Sequence, residues 1–81
     1  MDTIARTPQQ LGHALKSRRA KLKLSQTEVG LKVGIKQDTV SALEIRTPSS
    51  SVETLFKALS ALGLELVVRE KARGTSTTTE W

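Results

Sequence analysis

Eighty-one residues make one domain, which buries only about 60% of the surface its unfolded chain exposes, and the lack of cysteine excludes disulfides and thiolate metal sites. The formal net charge of +5 is unevenly placed, with nine Lys/Arg against four Asp/Glu in residues 1–46 and four against four in residues 47–81. No apolar run approaches the roughly 18 residues of a membrane span, the N-terminus lacks a secretion-signal layout, and a cytoplasmic location is expected. A one-sided positive field draws polyanions, although basic residues also solvate helix faces. Phe56 and Trp81 are the only aromatics, which disfavours readers of RNA or single strands that stack bases on rings.

In chain order, residues 1–6 read as an N-terminal arm. Thr7-Pro8-Gln9-Gln10 then opens a helix, with Thr7 as N-cap, Pro8 in the first helical position and Gln10 reaching back. Leu11, Leu15, Arg19 and Leu22 follow on one face, and the opposite face is basic. Ser25-Gln26-Thr27-Glu28 is a capping-box sequence, followed by Val29 and Val33 before Gly34 ends a short second helix. Ile35 turns inward, and a third helix runs from Lys36 or Gln37 to Ile45, burying Val40 and Leu43. Residues 46–50 form a loop around Pro48. Ser50 and Glu53 suggest another capping box, opening a fourth helix that buries Val52, Leu55, Phe56, Leu59 and Leu62 and stops at Gly63.

Residues 64–69 are β-branched and partly alternating, so they read as a strand with Leu64, Leu66 and Val68 on one side. A lone strand leaves its backbone groups unpaired, and the same strand of a second subunit is the simplest partner. A homodimer is expected through Leu64, Leu66, Val67 and Val68; a fifth helix over this segment is the alternative. Residues 70–81 are polar, a composition that favours a flexible tail. The expected fold class is an all-α helix-turn-helix domain over residues 7–63 with one short C-terminal strand, residues 64–69, pairing across a homodimer.

Residues 25–44 place two short helices about a tight turn, with Val29, Val33, Ile35, Val40 and Leu43 fixing their angle. This is the helix-turn-helix pattern, in which the second helix presents its front end to a major groove about 12 Å wide. The side-chain chemistry suits that use. Gln37 can bond bidentately to adenine N6/N7 and Lys36 to guanine O6/N7, Ser41 suits several base edges, and Ala42 can touch a thymine methyl. Thr39 suits a phosphate. Asp38 can accept from cytosine N4 or simply favour the positive end of its helix.

Ser25-Gln26, Glu28-Val29, Gly34-Ile35 and Thr39-Val40-Ser41 to Leu43-Glu44 resemble the phage-repressor-like (Cro/C1, Xre) helix-turn-helix family, over residues 11–62. The resemblance implies a phosphate contact at Gln26, base-facing positions at Lys36, Gln37, Asp38, Ser41 and Ala42, and a structural salt bridge between Arg19 and Glu44. Three positions depart from the family pattern. Gly30 stands where alanine is usual, Lys23 where glycine often ends the turn, and Leu31 where a polar residue is usual.

Gly34-Ile35-Lys36-Gln37, Thr39-Val40-Ser41, the strand-like residues after Gly63 and the polar tail ending in Glu80-Trp81 look more narrowly like a HipB-type antitoxin of the HipA/HipB toxin–antitoxin type. That resemblance implies a dimer binding duplex DNA at an inverted repeat, repression of its own operon and binding of a HipA-type serine/threonine kinase toxin. Trp81, beyond the reach of any core, reads as an anchor for that partner or as an unconstrained terminal residue. A stand-alone transcriptional regulator is the alternative function. No catalytic constellation, metal site or cofactor is expected: His13 is the single histidine, on the rim of the first helix, and no nucleophile stands with a base.

Overall fold

The computed structural model describes residues 3–71, and four helices and a short 3-10 turn make up its regular structure. Helix α1 (Pro8–Lys21) starts where the Thr7 hydroxyl accepts from the Gln10 backbone N–H at 3.1 Å. The Gln10 side chain does reach back, but to the Arg6 N–H, one residue before the cap. After Leu22 the chain turns through Lys23 at φ 59°, a left-handed conformation that costs a residue with a Cβ roughly 1–2 kcal/mol.

Helix α2 (Gln26–Val33) is fixed by a complete capping box: the Ser25 hydroxyl accepts from the Glu28 N–H at 3.0 Å, and the Glu28 carboxylate accepts from the Ser25 N–H at 2.8 Å. Gly34 ends it at φ 73°, where lacking a Cβ carries no steric penalty. Helix α3 (Gln37–Ile45) follows after only Ile35 and Lys36. The turn is so close that a Cβ on Gly30 would overlap the Ile35 carbonyl oxygen. Glycine's cost of about 1 kcal/mol in a helix thus permits a tight α2–α3 approach.

The expected loop after α3 contains a 3-10 turn (Thr47–Ser49), pinned by the buried Thr47 hydroxyl donating to the Leu43 carbonyl at 2.7 Å. Helix α4 (Val52–Ala61) is capped one residue later than expected, by Ser51 rather than Ser50: the Ser51 hydroxyl accepts from the Thr54 N–H. Its buried face also differs from the expectation. Ala58, Leu59 and Leu62 are buried and Leu55 packs against them, whereas Val52 is 67% and Phe56 50% exposed. Positions 55, 58, 59 and 62 form one stripe at helical spacing, and Val52 and Phe56, four apart, lie beside it.

The core is Leu15, Val29, Val40, Leu43, Ala58, Leu59 and Leu62, one or more from every helix. Helix α3 is the central element, packed against α1, α2 and α4. Leu22 sits at the rim, 39% exposed. Arg18 joins the ends of the bundle by donating from Nε to the Leu62 carbonyl at 2.9 Å. Residues 64–71 form neither a helix nor a ladder within the chain, so the fifth helix is set aside. Leu64 packs on the core while Leu66, Val67 and Val68 are exposed.

Two outcomes follow from the turns. Lys23→Gly relieves the left-handed strain and raises stability by about 0.5–1 kcal/mol after glycine's own entropic cost, measured by chemical denaturation. The Ser25 backbone N–H, followed by its hydroxyl, holds the Glu28 carboxyl below its ordinary pKa. A carboxyl depressed on folding stabilises the fold above its unfolded pKa and loses that contribution as pH falls through the folded value. The melting-temperature gap between the native chain and Glu28→Ala is therefore widest near neutrality and narrows below the ordinary carboxylate range.

Candidate nucleic-acid interface

Because Val40 and Leu43 point into the core, the start of α3 turns its polar residues outward. Lys36, Gln37 and Asp38 are exposed, and Thr39, Ser41 and Ala42 are half-buried along the same helix. Helix α3 alone among the four begins without a side-chain cap, Lys36 being its N-cap residue. Asp38 lies in its first turn, where a carboxylate favours the positive helix end. The capping box sets the entry of α2, and Gln26 is the first residue of that helix.

A chain of side-chain hydrogen bonds runs from the interior to this surface. Arg19 grips Glu44 with two bonds, Nε to Oε2 at 2.6 Å and Nη2 to Oε1 at 3.1 Å, and its Nη1 donates to the Leu24 carbonyl at 3.0 Å. The Glu44 side chain is only 3% exposed. Gln26 Nε2 donates to Glu44 Oε1 at 3.0 Å, and Gln37 Nε2 donates to Gln26 Oε1 at 2.5 Å. The hydrogen bond with Glu44 raises the pKa of Arg19 against the opposing effect of burial, so the guanidinium remains charged throughout the accessible pH range. Removing one member of such an enclosed pair costs about 3–5 kcal/mol, because the other charge is left without compensation.

The structure thus brings Arg19, Gln26, Gln37 and Glu44 into one connected set. Lys36, Asp38, Thr39, Ser41 and Ala42 lie beside Gln37 on α3 without entering it. The bond from Gln26 to Glu44 was not foreseen: the two residues are 18 positions apart, and no local spacing reports such a contact. Leu66, Val67 and Val68 are exposed, next to the half-buried Leu64; Trp81 lies outside the described residues. His13 is exposed on α1. Among the described residues no three His, Cys, Asp or Glu side chains gather as a metal site, and no helix is long and apolar enough to cross a membrane.

Residues 15–68 match the family model described as helix-turn-helix. The chain is 32% identical over 74 residues to antitoxin HipB of Escherichia coli strain K12, covering 91% of this chain and 84% of that protein. It is 37% identical over 62 residues to antitoxin HipB of Escherichia coli O6:H1, covering 76% and 66%. A solved HipA–HipB–O2–O3 complex superposes with a TM-score of 0.82 at 32% identity, over 89% of this chain and 100% of that one. A HipB–O4 20mer complex gives the same score, identity and coverage.

Four helices with a rigid second-to-third turn and a polar α3 front define a helix-turn-helix protein of the Cro/C1 type. Within that class, the chain belongs to the family of the HipB antitoxins.

Proposed function

We propose that this chain is a HipB-like antitoxin: a homodimeric repressor that reads an inverted repeat in duplex DNA, represses its own operon, and binds and neutralises a HipA-type serine/threonine kinase toxin. The observation that carries the DNA-binding reading is the exposed Gln37 at the front of α3, held through Gln26 to an enclosed ion pair. A reader fixed in this way meets a base edge with its side chain already oriented, and loses little rotamer freedom on contact. The positive excess in residues 1–46 supplies the sequence-independent attraction to phosphate.

Gln26 gives a phosphate contact, which suits a neutral donor at a helix N-terminus. Gln37, Lys36, Ser41 and Ala42 read base edges, Thr39 serves a phosphate, and Asp38 chiefly favours the α3 N-terminus. Leu64, Leu66, Val67 and Val68 form a short intermolecular ribbon. Support for it comes from the exposure of the last three and from the unpaired backbone a lone extended segment leaves. The similarity to HipB solved together with HipA supports the toxin partner, and Trp81 is the anchor assigned to it. The activity is one of binding, with no reaction catalysed.

In titrations against an operator selected from random duplexes, Gln37→Ala costs about 1–3 kcal/mol and relaxes preference at one base pair of each half-site. Gln26→Ala weakens binding to every duplex through the lost phosphate contact and, because Gln26 also holds Gln37, lowers the preference at that same base pair as well. Equal losses for Gln37→Ala on specific and random duplex would contradict the assignment. The two half-sites lie about 34 Å apart on one side of the duplex. A chain ending at Glu80 keeps its duplex affinity but loses tens-fold or more in affinity for a HipA-type kinase, on the scale of a buried aromatic anchor; unchanged capture of the kinase would remove Trp81 from that role.

A further inference from the structure

We infer that Glu44 is a positioning residue for base recognition: its carboxylate fixes which way the Gln26 amide points and, through Gln26, the order of donor and acceptor that Gln37 presents to a base. The inference rests on the proposed reading of duplex DNA by Gln37. It assigns a role in specificity to a pair whose evident purpose is to join α1 to α3.

An ionised carboxylate only accepts hydrogen bonds, whereas a glutamine amide has a donating and an accepting side. Glu44 Oε1 stands 3.0 Å from the Gln26 amide, so the side facing it must be the N–H side. The Gln26 oxygen is thereby turned towards Gln37, and Gln37 must answer with its own Nε2 at 2.5 Å. What remains free on Gln37 is one N–H and the carbonyl oxygen. That pair matches adenine, whose N7 accepts and whose N6 amino group donates.

The opposite polarity would present a different surface. If Gln26 turned its N–H towards Gln37, the Gln37 oxygen would be taken up and both of its N–H groups would face the groove. Two donors match guanine, whose N7 and O6 both accept. The choice between A·T and G·C at this base pair is thus set two residues away from the base. Glu44 can set it firmly because the carboxylate is itself held by two bonds from Arg19 and is only 3% exposed, so that it cannot rotate away or exchange its partner for water.

Two double variants test this, each avoiding a lone enclosed charge. Arg19→Glu with Glu44→Arg reverses the pair, so that a donor faces Gln26; the preference at the base pair read by Gln37 moves from A·T towards G·C. Arg19→Met with Glu44→Leu removes the polarity with little change of volume, a replacement that commonly preserves folding. It lowers the A·T preference by about fivefold or more. Folding of both is checked by circular dichroism melting, and the second variant decides the matter if the first does not fold.

In the free native chain, the side-chain amide protons of Gln26 and Gln37 exchange with water more slowly than those of the exposed Gln9. Met/Leu substitution of the pair abolishes that difference. An A·T preference unchanged within twofold in the folded Met/Leu variant, while Gln37→Ala loses it, would overturn the role of Glu44 and leave base reading by Gln37 standing. No loss of preference in Gln37→Ala would instead overturn the base reading itself. Exchange of the Gln26 and Gln37 amides as fast as that of Gln9 in the native chain would remove the fixed orientation on which the inference depends.

Discussion

The enclosed pairing of Arg19 with Glu44 is the constraint on which the arrangement of the helices turns. A carboxylate 3% exposed has lost most of its hydration, and only directed hydrogen bonds restore what it gave up. Arg19 supplies two of them from α1 and Gln26 a third from α2. Since Glu44 lies on α3, one carboxylate bonds to side chains on both α1 and α2. Nonpolar burial brings these helices together without direction; the pairing sets their mutual register.

The core around it is small, seven buried apolar residues drawn from four helices. Val40 and Leu43 do more than fill space. By facing inward they dictate which side of α3 is left for Lys36, Gln37 and Asp38, so the packing of the interior and the composition of the outer surface are one decision. The same logic places Leu55, Ala58, Leu59 and Leu62 inward on α4 and leaves Val52 and Phe56 uncovered.

Much of this was legible in the sequence because it is local. Thr7 and Ser25 announce helix starts through bonds three residues long, and Gly34 announces a left-handed stop. Where three serines stand in a row, Ser49 to Ser51, local chemistry could not choose among them, and Ser51 rather than Ser50 became the cap because its hydroxyl meets the Thr54 N–H. Hydrophobicity alone put Val52 and Phe56 in the core; the orientation of α4 is set by contacts with other helices, which residue type does not record. The pairing of Arg19 with Glu44 was accessible only through family resemblance, and the bond between Gln26 and Glu44 not even then. Polar contacts across 18 residues leave no periodicity to detect.

The tight passage beneath Gly30, where the Ile35 carbonyl occupies the space a methyl group would need, bears on how such a protein can change over time. With no slack at the corner, α3 cannot be tilted or slid to suit a new target without first rebuilding the corner. New recognition is more readily acquired by exchanging side chains along α3 than by moving the helix itself. The mount stays constant, and diversification is confined to the few outward positions it displays.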